Sequence, residues 1–230
     1  MNQKKRPKTT RTRSVFKKRA EFFLEHARQN KSVTKYKTGK QFLEKFKFSL
    51  YKTKNRTFLI DLKKNLTSTP LSIAIIFNNP KLKNKNVIAY EARIRFSGKN
   101  IIIESLQGSK NLIEIRDFEN LVGLPASRYL FKEIYNQAKK AGYKKVLIRK
   151  PENQISYKDP NWVDSLDKRG KKLLEKIQFN EATSLEIKEF EKHREEAIKI
   201  IRARMKKIYE TVAIAEGMRV QENYFVKEVK

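Results

Sequence analysis

Lys4, Lys5, Arg6, Lys8, Arg11, Arg13, Lys17, Lys18 and Arg19 put nine basic side chains, and no acidic one, into the first 19 residues. Cations at that density pair with phosphate oxygens and release the counterions condensed on a polyanion. The first chemistry the chain offers is therefore ionic binding of nucleic acid or of a ribonucleoprotein. The excess continues along the chain: residues 1–64 carry 21 basic and 4 acidic side chains, which is +17 of a formal total of +29. Self-repulsion of that size opposes a compact state, and a polyanionic partner relieves it. A lysine-rich surface that merely solvates the fold is the alternative, but the charge is concentrated rather than spread. Phe42, Phe46 and Phe48 alternate with Lys40, Lys45 and Lys47, a pattern that suits stacking on bases and suits a core face equally well.

The same inventory removes other chemistries. The chain has no Cys, which excludes disulfide scaffolds, thiolate zinc sites and thiol nucleophiles. With only His26 and His193, neither a histidine-rich metal site nor a serine triad is expected, and no metal is assigned. No apolar run approaches the roughly 18 residues that a membrane span requires. The basic start of the chain is not followed by the apolar stretch of a secretory signal. The expectation is a cytoplasmic protein without a membrane partner.

The elements that must carry these groups can be read in order. Residues 1–13 hold nothing apolar beyond Met1 and Pro7 and cannot offset the entropy of ordering, so an arm disordered in isolation is predicted. A helix over Val15–Gln29 and a polar linker follow. Thr57–Leu62 reads as a strand and Leu71–Phe77 as a buried one. Lys81–Asn86 is then a hairpin loop, and Val87–Phe96 an alternating strand with Ile88, Tyr90, Ala92, Ile94 and Phe96 on one face and Glu91, Arg93 and Arg95 on the other. Ile101–Leu106 is too evenly apolar to have a wet face and is placed inside the sheet.

A phosphate-sized loop through Gly123-Leu124-Pro125 leads to a helix over Ala126–Ala141. There Leu130, Phe131, Ile134, Tyr135, Ala138 and Ala141 form one apolar stripe, and Gly142 supplies the left-handed terminus. Val146, Leu147 and Ile148 make a second buried strand, parallel to the first because a helical crossover joins them. Beyond it, Leu166, Leu173, Leu174 and Ile177 predict a helix from near Asp164. Thr183 with Glu186 is a capping box for a long helix reaching Gly217. Val220–Val229 is a terminal strand placed beside residues 144–149. The domain reading is a basic arm and helix over 1–56, then one α/β domain over 57–230 with a helical insertion at about 160–182.

That succession of antiparallel meander, central strand, loop, helix, parallel strand, helix and terminal strand resembles the GNAT-type N-acyltransferase superfamily. So do Lys206-Lys-Ile-Tyr-Glu, Gly217-Met218 and Glu222-Asn-Tyr-Phe-Val-Lys. Glu104-Ser-Leu-Gln-Gly, Gly123-Leu-Pro and Lys144-Lys-Val-Leu-Ile look like uncharacterised GNAT-like proteins. The resemblance covers roughly residues 57–230 and implies a GNAT-like mixed sheet with flanking helices. It also implies that acetyl-CoA or another acyl-CoA is held, its pyrophosphate on backbone N–H groups at a helix N-terminus, with Leu106, Gly123, Ala126 and Ser127 as the cofactor-binding positions. Asn120 and Pro125 depart from the family's loop, and Pro125 has no N–H to donate. Proline also suits an ordinary helix start.

By the same resemblance Glu104 is the general base and Tyr209 the general acid that protonates the departing thiolate. The competing readings are a structural Glu paired to a nearby Lys and a Tyr that packs with its hydroxyl at the surface. Two functions follow. One is an acyl-CoA-dependent N-acyltransferase acting on an amine within a polyanionic assembly. The other is a non-catalytic nucleic-acid-binding protein on a GNAT-like scaffold. The loop at 120–126 discriminates them.

Overall fold

A computed structural model describes residues 42, 49–52, 57–64, 71–79, 85–108 and 112–230. The basic arm with its nine candidate contacts, the helix expected over Val15–Gln29, and Phe46 and Phe48 lie outside the described residues. The chain forms two compact units, residues 1–147 with 227–230, and residues 148–226.

The first unit is built on a mixed sheet. Its strands are β1 (Ser49–Lys52), β2 (Thr57–Lys64), β3 (Leu71–Asn79), β4 (Lys85–Ser97), β5 (Asn100–Gly108) and β6 (Lys145–Arg149), and they lie side by side in that order. From β1 to β5 each neighbour is antiparallel. β3 reads Leu-Ser-Ile-Ala-Ile-Ile-Phe, and its residues 71–77 are buried on both faces, as an apolar run in mid-sheet requires. β6 starts beside the start of β5, where the Lys144 N–H donates to the Lys99 carbonyl at 2.8 Å. Two strands that begin side by side run parallel, as the crossover predicts.

The crossover holds two helices, α1 (Leu112–Val122) and α2 (Ala126–Ala141). The expected loop is thus mostly helix. Ile115 and Phe118 are buried, three residues apart on one side of α1, and Phe118 meets Tyr129 of α2 edge to face at 5.1 Å. α2 buries Leu130, Phe131, Ile134, Ala138 and Ala141, the stripe read from the sequence, with Tyr135 half-buried beside it. It ends at Gly142, φ +79°, where the Tyr143 N–H reaches the Ala138 carbonyl at 3.0 Å. β6 alternates, with Val146 and Ile148 buried and Leu147 only half-buried, so it is not evenly apolar in its surroundings. Phe42, Phe96 and Tyr143 pack as an aromatic trio.

Two β-bulges set which side chains share a face. The β3–β4 register slips between Ile75 and Ile76, leaving Ala89 as the extra residue of β4. Ile88 therefore falls on the face opposite Tyr90, not on the same one as simple alternation implies. The β4–β5 register slips between Arg93, opposite Ser105, and Ile94, opposite Ile103. Glu104 is the residue left over, and a bulge of this kind turns two successive side chains to one side.

The second unit is mainly helical. After 3₁₀ turns at Pro151–Asn153 and Val163–Ser165 come α3 (Lys168–Gln178) and α4 (Ser184–Ala215). Asp167 caps α3, its carboxylate accepting the Gly170 N–H at 2.7 Å, so the helix starts four residues later than Asp164. Leu166, Leu173, Phe190 and Ala197 form the core, with Trp162, Leu174 and Ile177 packed against it. The Thr183–Glu186 capping box is formed. The terminal strand is a hairpin, β7 (Arg219–Val220) on β8 (Tyr224–Glu228). β8 runs antiparallel to β6: in this unit the Lys150 N–H donates to Asn223, and in the first unit the Val229 N–H donates to Lys144.

Candidate functional site

Three places carry the side chains that could do chemistry. The first is the start of α2. Gly123 ends α1 with φ +69°, its N–H closing on the Glu119 carbonyl at 2.8 Å, and Leu124-Pro125 turn the chain into α2. Pro125, at the N-cap, offers the helix no side-chain acceptor. The acceptor comes from the preceding helix: Glu119 Oε1 lies 2.8 Å from the Ala126 N–H. A carboxylate thus sits where free N–H groups and the helix dipole favour an anion. Ala126 is buried and Ser127 half-buried in that first turn. Of the donors that a CoA pyrophosphate would use here, one is absent at Pro125 and the next is held by an anion of the protein's own.

The second place is the face of β4 and β5 that carries Glu91, Arg93, Arg95 and Glu104. The bulge brings Glu104 to Arg95, whose Nε donates to Glu104 Oε1 at 2.7 Å. Arg93 Nε donates to Glu91 Oε1 at 3.0 Å. Ser72 and Ser105 stand in register on either side of Arg93, and their buried hydroxyls have no hydrogen-bond partner among the described residues. Two guanidinium and two carboxylate groups leave this band without net charge. One of the two Glu104 carboxylate oxygens, Oε1, is held by a guanidinium, so the ion-pair partner is Arg95 rather than the lysine expected from the sequence. Leu106 is buried on the other face, opposite Ala92.

The third place is Tyr209, in the second unit, whereas Glu104 is in the first. The Tyr209 side chain is only 1% exposed. Its hydroxyl donates to Gln154 Oε1 at 3.0 Å, and Gln154 Nε2 donates to the Arg149 carbonyl at 3.0 Å. A proton committed to a buried amide holds a loop against a helix. No family model, curated protein or solved structure matches the chain. The site is therefore read from its own geometry.

Ion pairs in the second unit sort its cations. Arg169 grips Glu189 through two parallel hydrogen bonds of 2.9 and 3.0 Å. Lys176 donates to Glu186 at 2.6 Å. That ammonium group and the Thr183 N–H hold the Glu186 carboxyl down at about 2. The Arg169 guanidinium also lowers the Glu189 carboxyl, chiefly through their hydrogen bond. Arg202 donates to the Tyr157 and Lys158 carbonyls, both at 3.0 Å. Lys168, Lys171 and Lys172 of α3 are exposed. Among the described residues, no helix is long and apolar enough to cross a membrane, and no group of three or more acidic or histidine side chains could hold a metal ion.

Sequence reasoning missed Glu119, Arg95 and Gln154, each of which engages a residue that it had singled out. The cation run Lys168-Arg-Gly-Lys-Lys, visible in the sequence, was not singled out either.

Proposed function

We propose that this is a non-catalytic nucleic-acid-binding protein on a GNAT-like α/β scaffold, its cations engaging the phosphate backbone. The observation that carries the choice over the acyltransferase reading is the Glu119 carboxylate on the Ala126 N–H. Two anions repel strongly at one helix N-terminus, so the acyl-CoA reading requires Glu119 to leave. The internal engagement of Glu104 by Arg95 and of Tyr209 by Gln154 points the same way. The net charge of +29, with +17 of it in residues 1–64, supplies the attraction. The order of strands and helices supports the GNAT-like comparison of the scaffold, and fold alone does not imply the chemistry.

The test pairs two titrations. Fluorescence anisotropy with labelled DNA and RNA oligonucleotides, repeated over a salt series, is expected to give binding that weakens linearly on a log–log plot. Deleting residues 1–19 is expected to flatten that slope. Calorimetry with CoA and acetyl-CoA is expected to give no heat at millimolar ligand. Micromolar CoA binding without oligonucleotide binding would overturn the proposal in favour of the acyltransferase.

A further inference from the structure

α3 carries five basic residues and one acidic residue in eleven positions, and the structure divides the five. Arg169 and Lys176 are tied to Glu189 and Glu186 of α4. Lys168, Lys171 and Lys172 are exposed, and among the described residues their ammonium groups have neither an ion pair nor a hydrogen bond. At spacings i, i+3 and i+4 these three share one face of the helix. They occupy its first turns, where like charges repel one another and positive charge opposes the helix dipole. A face serving solubility alone would carry its lysines at the other end, where the dipole favours them. A local arrangement that works against its own helix marks a functional surface.

We infer that Lys168, Lys171 and Lys172 form a phosphate-contacting face in the second unit, engaging the backbone of a nucleic acid separately from the basic arm. This rests on the nucleic-acid-binding reading and assigns it a surface. From Lys168 to Lys172 the helix advances about 6 Å, close to the roughly 6.8 Å that two phosphate steps of about 3.4 Å cover along one strand. The face therefore suits a polymer of phosphates. An anionic bilayer is the poorer partner, because peripheral helices set apolar side chains beside their cations. Here Leu173, Leu174 and Ile177 belong instead to the core with Leu166 and Phe190.

The experiment compares full-length wild type with K168Q/K171Q/K172Q, with K168R/K171R/K172R, and with K188Q/K192Q/K199Q, which removes the same charge from exposed positions of α4. Binding to duplex and single-stranded oligonucleotides is followed across a salt series. Loss of three phosphate contacts lowers the log–log slope by about 2.7 on duplex and about 2.1 on single strands. The arginine variant is expected to keep the wild-type slope, and so is the α4 control. Circular dichroism melts of the α3 glutamine variant should lie no lower than wild type, since it relieves repulsion in α3.

Wild-type slope and affinity in the folded α3 variant would overturn this assignment alone. An equal fall in the α4 control would reduce the effect to net charge and overturn it too. Loss of binding to phosphatidylserine–phosphatidylcholine vesicles with oligonucleotide binding retained would transfer the face to a membrane. Absence of oligonucleotide binding by wild type would overturn the functional reading itself.

Discussion

Replacing Glu119 tests the arrangement on which the choice of function turns. Glu119→Gln keeps an oxygen that can accept the Ala126 N–H but removes the charge. Glu119→Ala removes both. The 2.8 Å contact is a charge-assisted hydrogen bond in the first turn of α2. Losing such a cap costs about 1 to 2 kcal/mol, of which the interaction of charge with dipole is about 0.3 to 1 kcal/mol. Stability should fall in the order wild type, E119Q, E119A. Salt separates the two components: as the Debye length shrinks from about 10 Å at 0.1 M to about 3 Å at 1 M, the gap between wild type and E119Q should narrow. The gap between E119Q and E119A should persist. Urea denaturation followed by circular dichroism reads the free energies, and hydrogen exchange at Ala126 reads the bond itself, which should exchange fastest in E119A. Pyrophosphate and CoA titrated into E119A complete the test, because any affinity absent in wild type must come from the vacated N-terminus. An E119A protein within about 0.3 kcal/mol of wild type, well inside the range of neutral surface substitutions, would refute the capping role. Glu119 would then present no barrier to a CoA pyrophosphate at this N-terminus.

Ile134 is fully buried in the stripe of α2, so Ile134→Ala should cost about 2 to 5 kcal/mol, while Lys139→Ala at an exposed position should change stability by less than about 0.5 kcal/mol; chemical denaturation checks the ranking. Tyr209→Phe keeps the ring but leaves the buried Gln154 Oε1 without its donor, which should cost about 1 to 3 kcal/mol without altering oligonucleotide affinity. Glu186 is held at about 2 against an ordinary 4.5, first by Lys176 and then by the Thr183 N–H. A lowered carboxyl stabilises the fold above 4.5 and loses that contribution as pH falls through about 2, so the α3–α4 pair should loosen across that interval. Lys176→Met should move the Glu186 titration, followed by NMR, back toward the ordinary carboxylate range.

Legibility in the sequence tracked the range of the interactions. The stripe of α2, its glycine terminus and the capping box of α4 depend on residues within four positions of each other, and they stand as read. The sequence predicts a loop where α1 forms: Ile115 and Phe118 repeat at helical spacing, but Glu114, Arg116, Asp117 and Glu119 dilute the apolar signal ahead of the Gly123-Leu124-Pro125 turn. The bulge at Glu104 has no local signature, since it is a property of two strands in register. It decides that Glu104 meets Arg95. Likewise the hydroxyl of Tyr209 finds its acceptor 55 residues away, and no periodicity of the long helix announces that partner. The candidate acid and base were visible as residue types, but their partners were not.

The division of the chain has a consequence for its synthesis. Residues 227–230 belong to the first unit, although the whole second unit, residues 148–226, is made between them and the rest of it. The Val229 N–H meets the Lys144 carbonyl and the Lys145 ammonium group meets Glu228 at 3.1 Å. On a ribosome, which generally lets earlier segments fold first, β2 to β5 can pair as soon as they emerge. The flank of β6 has to wait through the translation of some eighty more residues for β8. During that interval β6 is an open strand edge, the kind of surface that pairs with other chains. The length of the second unit, residues 148–226, sets how long that exposure lasts.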